Sequence, residues 1–251
     1  MKRNKGRLQD YRHILQTAIP LILATGYLAI LEFFDRMFLA WYSEEALAAV
    51  TPASALALTC TSLFTGILVY VGNIVAHYYG AKMEEKVGSI LWQGIWLTVL
   101  SGVILVILSC FSEMLFKIVG HEQSLQPIQV LYFGIITKGA VFSLLTTLFM
   151  SFYASVGKYI IVGVTIINSM FINVFLDYCM IFGKFGFEEM GVRGSALSTV
   201  IGSAITSLIF IIYLLLSDCR KKFHIVQPKL IDVKLFQHIC KYSLSNGVVF
   251  F

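Results

Sequence analysis

Five ionisable side chains sit inside long apolar stretches of this 251-residue chain: Glu32, Asp35, Arg36, Lys138 and Asp177. An ionisable group near the middle of a membrane-spanning helix costs a few kcal/mol to insert, so each of the five calls for a partner, water or a function. Asp35 and Asp177 carry the most chemistry. Counted outward from the start of their stretches, they lie about 33 and about 27 Å along a helix, at similar depth in its outer half. Asn173 precedes Asp177 by four residues, so amide and carboxylate share a helix face. A charged oxygen with a neutral one beside it suits a proton or a hard cation such as Na⁺. Each carboxylate also has a structural alternative: Asp177 capping a helix end near Gly183, and Asp35 in an ion pair with another helix. Glu32 and Arg36, four apart, can pair along one face, which favours a local role for both. Lys138 lies too deep to reach headgroups comfortably. Two readings of it stand side by side: a cation that replaces a bound ion beside Asp35 or Asp177, and one half of a structural ion pair.

The elements that must carry these residues are transmembrane helices. Hydrophobic residues make up 58% of the chain and charged residues 13%, and the mean hydropathy is +0.81. Soluble domains carry about a quarter charged residues, so a soluble fold is excluded. The stretches Ala46 to Ala81, Val87 to Ser112 and Gly194 to Ser217 contain no Asp, Glu, Lys or Arg. Each exceeds the roughly 18 residues that mark a spanning helix, and none shows the alternation of a barrel strand. The pattern predicts an all-α membrane protein with spans near residues 14–40, 47–78, 87–112, 127–153, 159–183 and 193–217. Residues 1–13 read as a basic tail, 14–217 as a six-helix lobe, 218–241 as a connector and 242–251 as the start of a seventh span, too short to cross alone. In the connector, Leu230, Val233, Phe236 and Ile239 recur at helical spacing, as in a helix lying on the inner membrane surface; a solvated linker is the alternative.

Fourteen of the nineteen basic residues fall in the tail and the even-numbered connections, and three on the other side. This places the N-terminus in the cytoplasm of a cell membrane, with membrane lipid rather than nucleic acid as the partner of the net charge. The five cysteines are scattered, with no CxxC, and no HExxH, Ser-His-Asp grouping or phosphate loop occurs. No enzyme activity, cofactor or metal is expected beyond a coupling ion. Pro20, in the first span, frees a backbone carbonyl one turn earlier and offers a kink or hinge.

Five segments carry a resemblance: AIPLIL at Ala18, EFFDRMFLAWYSEEALAAVTPA around Asp35, VAHYYGAKMEEKV after the second span, INVFLDYCMIFG around Asp177, and GVRGSALSTV before the sixth. In that order they resemble the N-terminal half of the multidrug and toxic compound extrusion (MATE) transporters. The resemblance implies twelve helices in two lobes, this chain supplying the N-lobe and the C-terminal six-helix lobe being its partner. It implies export of amphiphilic, often cationic, compounds against Na⁺ or H⁺. It also implies a coupling site at Asp35, Asn173 and Asp177, with Tyr132 and Thr199 in its hydrogen-bond network. The chain departs from the family pattern at Arg36, Tyr178 and Lys138. Two alternatives accompany this reading: a flippase for a lipid or lipid-linked saccharide, and a truncated membrane protein without transport activity.

Overall fold

The computed structural model describes residues 26–27, 29–119 and 122–225, together with Asp232, Phe236 and Ile239. Pro20, the tail and the expected seventh span lie outside these residues. The described chain is helical, with no strand: α1 (residues 29–42), α2 (Glu44–Gly80), α3 (Glu84–Ser109), α4 (Ser112–Val119), α5 (Gln126–Ser155), α6 (Tyr159–Phe182), α7 (Val192–Leu216) and α8 (Cys219–Lys222). Helices α2, α3, α5, α6 and α7 are each long and apolar enough to cross a membrane.

A single residue, Ser43, separates α1 from α2. Its backbone is extended and its Oγ accepts the Ala46 N–H at 3.4 Å, while Glu44 and Glu45 place negative charge on the first turn. That is a complete helix start, so α2 begins three residues before the expected span and reaches 37 residues, about 55 Å. The eight-residue α4 was not expected. It buries Phe116, ring to ring with Phe133 of α5, and leaves Met114 and Ile118 exposed.

Helix α5 is the centre of the lobe and packs against α2, α3 and α7, while α6 packs on α7. Apolar attraction between helices is weak in lipid, so small residues and interhelical hydrogen bonds hold such a bundle. From α5, Ser151 Oγ donates to Val69 O at 3.1 Å and Ser155 Oγ to Gly72 O at 2.7 Å on α2. Tyr153 Oη donates to Phe210 O at 3.0 Å and Thr146 Oγ1 to Ser203 O at 3.2 Å on α7. Thr206 of α7 donates to Ser169 of α6 at 2.8 Å.

The chain after α7 turns back onto the lobe. Phe223 and Ile225 are buried, and Trp92 Nε1 of α3 donates to Ile225 O at 3.1 Å. Gly88 makes this possible, because a Cβ there would stand 2.0 Å from the Phe223 carbonyl oxygen. Further on, Phe236 packs against the same apolar cluster and Ile239 is buried in it. Ile239 is buried and Phe236 half-buried against that cluster; Leu230 and Val233 lie outside the described residues.

Candidate functional site

The two carboxylates meet across α1, α6 and α7. Asp35 is half-buried on α1 and accepts a hydrogen bond from Ser195 Oγ of α7 at 2.5 Å. Asp177, on α6, is 0% exposed, and its Oδ1 accepts from Ser198 Oγ, also of α7. Its other oxygen, Oδ2, is buried with no hydrogen-bond partner among the described residues. The two acids are near enough to act on each other's charge, and the buried Tyr132 of α5 has its hydroxyl beside Ser195, within reach of both.

One feature of sequence brings α7 this close. A Cβ at Gly194 would stand 2.5 Å from the Met180 carbonyl oxygen of α6, so only glycine permits the approach that seats Ser195 and Ser198 over the acids. One turn further, Asn173 of α6 is buried with its amide nitrogen against Gly202, where no Cβ intervenes. Asn173 and Asp177 thus face α7 together.

The remaining sequence candidates are placed as follows. Thr199 Oγ1 donates to Ser195 O of its own helix at 3.1 Å, so its hydroxyl is spent one turn back. Glu32 and Arg36 pair with each other on an exposed face, leaving Asp35 to Ser195. Asp177 does not cap α6: that helix ends in a left-handed Gly183, and the Lys184 N–H closes onto Cys179 O at 2.9 Å. Lys138 is exposed on α5, and among the described residues no ion pair includes it.

Ser195 and Ser198 are the residues that sequence reasoning missed. Each is a common residue in an apolar helix. Only their spacing of three, opposite acids on two other helices, marks them. Chemically they give the acids an adjustable partner. Ser198 Oγ lies 2.8 Å from Ser195 O as well as beside Asp177. An ionised Asp177 accepts the hydroxyl proton, whereas a protonated one can donate to Ser198 Oγ while the hydroxyl turns to the Ser195 carbonyl. For a cation, the same place offers carboxylate, amide and hydroxyl oxygens, a hard-ligand set with one buried oxygen, Asp177 Oδ2, still to be satisfied.

A bundle of five long apolar helices defines a polytopic helical membrane protein, and two carboxylates meet between α1, α6 and α7. The MatE family model matches residues 20–179, and the chain belongs to that family. It is 28% identical over 195 residues to a probable multidrug resistance protein NorM of Thermotoga maritima, covering 76% of this chain and 41% of the relative. It is 29% identical over 228 residues to a NorM of Oceanobacillus iheyensis, covering 90% and 49%. Among solved structures, an outward-facing multidrug resistance MATE transporter superposes with a TM-score of 0.82 at 20% identity, covering 94% of this chain and 52% of that one. An inward-facing one gives 0.79 at 18% identity, covering 94% and 53%. The chain spans about half the length of the curated relatives it matches.

Proposed function

We propose that this chain forms the N-terminal lobe of a secondary antiporter that exports amphiphilic or cationic compounds against inward Na⁺ or H⁺, with its N-terminus in the cytoplasm. The observation that carries the proposal is Asp177: wholly buried, held on one oxygen by Ser198, without a partner on the other among the described residues, and within electrostatic reach of Asp35. Two carboxylates so placed titrate as a unit, and one proton or one cation between them relieves their repulsion.

Coupling then follows from differential affinity. An ion bound by Asp35 of α1 and Asp177 of α6 favours the arrangement in which α1, α6 and α7 are drawn together, and its release favours the alternative. The second lobe supplies the other wall of the substrate cavity, so motion of one lobe against the other alternates access. Tyr132 and the two serines position the acids, and Asn173 adds a neutral oxygen. A flippase for a pyrophosphate-linked lipid needs several cavity cations; this lobe offers Arg36, already engaged with Glu32, and Lys138.

The test is efflux from vesicles carrying the whole two-lobed transporter, with Na⁺ and H⁺ gradients imposed separately. Asp35→Asn and Asp177→Asn are each expected to abolish ion-driven export while leaving insertion intact. Retention of wild-type rate and ion dependence by either variant makes that residue structural.

A further inference from the structure

At the basic end of the lobe the ends of α2, α5, α6 and α7 converge on a cavity of about 390 Å³. Its lining includes Lys158 from the α5–α6 turn, Lys222 from α8, the phenol rings of Tyr79 and Tyr213, and Ser217. Among the described residues Asp218 is the acid of that lining, and Glu84 of α3 reaches Lys222 from beside it, which leaves Lys158 as the cation without an ion pair. Lys222 is held in place: its Nζ lies 3.2 Å from Glu84 and 5.0 Å from the centre of the Tyr79 ring, and half of its side chain still faces outward. Lys158 is exposed and makes no ion pair among the described residues.

Because four spanning helices end here, the cavity lies at headgroup level in the membrane. Leu216 lines it and is 83% exposed, and above it Ile212 and Leu208 continue an exposed apolar track along α7. Ile160, at the start of α6, is also 83% exposed. Two ammonium groups, phenol hydroxyls and an apolar track leading away from them match one molecule in shape and chemistry: a phospholipid with an anionic headgroup.

We infer that this cavity is a binding site for an anionic phospholipid of the adjoining leaflet, its phosphate between Lys158 and Lys222 and an acyl chain along Leu216, Ile212 and Leu208. Basic pockets between transmembrane helices at the cytoplasmic surface recognise anionic lipid in this way. The Tyr213 hydroxyl adds a donor that a diffuse surface charge lacks, whereas the Ser217 hydroxyl already donates to Leu214 O at 3.4 Å. The inference does not depend on the transport proposal, because binding is read without any flux.

Native mass spectrometry of the purified protein, titrated separately with phosphatidylglycerol, phosphatidylcholine and inorganic phosphate, tests it. At roughly fivefold for a free lysine, and less for Lys222, which is shared with Glu84, phosphatidylglycerol is expected to be retained roughly five- to 25-fold more tightly than phosphatidylcholine. Lys158→Gln/Lys222→Gln should bring the two lipids to near parity, whereas Lys82→Gln/Lys86→Gln, on the same basic surface but outside the cavity, should leave the preference unchanged. Tyr213→Phe keeps both charges and should weaken phosphatidylglycerol retention severalfold, which keeps the test open if the double variant folds poorly. Equal loss in both lysine pairs means general surface charge and overturns the site. So does displacement of the lipid by inorganic phosphate as readily as by phosphatidylglycerol, and so does a wild-type protein with no preference.

Discussion

Ser198→Ala is the sharpest perturbation of the carboxylate pair. Ser198 is fully buried, and its Oγ is the hydrogen-bond donor to Asp177 Oδ1, while Oδ2 has none. The substitution leaves a buried carboxyl group without a hydrogen bond from the described residues. A hydrogen bond to a charged acceptor is worth about 1.5–3 kcal/mol and a neutral one about 0.5–1.5 kcal/mol. A destabilisation of about 2 kcal/mol is therefore expected, and at about 2–4 °C per kcal/mol for a chain of this size the melting temperature falls by about 4–8 °C. In an Asp177→Asn background the charge is gone, and Ser198→Ala should cost only about 1 kcal/mol, leaving a coupling of about 1 kcal/mol between the two positions. Thermal unfolding of wild type, both single variants and the double variant, followed by circular dichroism in one detergent, measures all four corners of the cycle. If Ser198→Ala melts within about 1 °C of wild type, or the two changes add within about 0.3 kcal/mol, Asp177 is not held through Ser198.

Gly194→Ala should move α7 off α6, because its methyl meets backbone rather than a flexible side chain; a cost of about 1–3 kcal/mol and loss of ion-coupled export are expected from thermal unfolding and vesicle efflux. Lys138→Met should leave Na⁺ dependence unchanged and make insertion more favourable, since a central lysine costs about 2.5–3.5 kcal/mol on insertion scales. A loss of about 3 kcal/mol instead reveals a carboxylate partner outside the described residues. The 251-residue chain reconstituted alone should export nothing, because alternating access needs a second wall to the cavity; substrate export by the isolated chain in proteoliposomes refutes this.

The long helices were legible because a charge-free apolar run of spanning length has one stable answer in lipid. α5, α6 and α7 begin within one residue of the spans drawn at 127, 159 and 193. Elsewhere the reading fell short: α2 and α3 each begin three residues before the spans drawn at 47 and 87, and α4 was not drawn at all. α2 starts at Glu44, because Ser43 and two glutamates make a helix start that a hydrophobicity criterion discards as polar. α4 hides in a connection, because eight residues with a buried Phe116 give no spanning signal. In the site, Asp35, Asn173 and Asp177 announce themselves by the cost of burying them. Their partners do not: a serine in an apolar helix is cheap, and only the crossing of α7 over α1 and α6 gives Ser195 and Ser198 a role. Lys138 shows the opposite case, a costly residue with no described partner, whose account rests with what surrounds the lobe.

The clasp of Phe223 and Ile225 over Gly88 and Trp92 joins residues more than 130 positions apart in the chain. During synthesis α3 emerges long before the segment that closes over it, so the basic end of the lobe waits, with Gly88 uncovered and the indole N–H of Trp92 unsatisfied, until all of α7 has been threaded into the membrane. Contacts of such sequence separation form late. The clasp therefore acts as a completion mark: the lobe cannot seal its base until its last spanning helix is in place, and a chain arrested within α7 presents an open seam at the membrane surface.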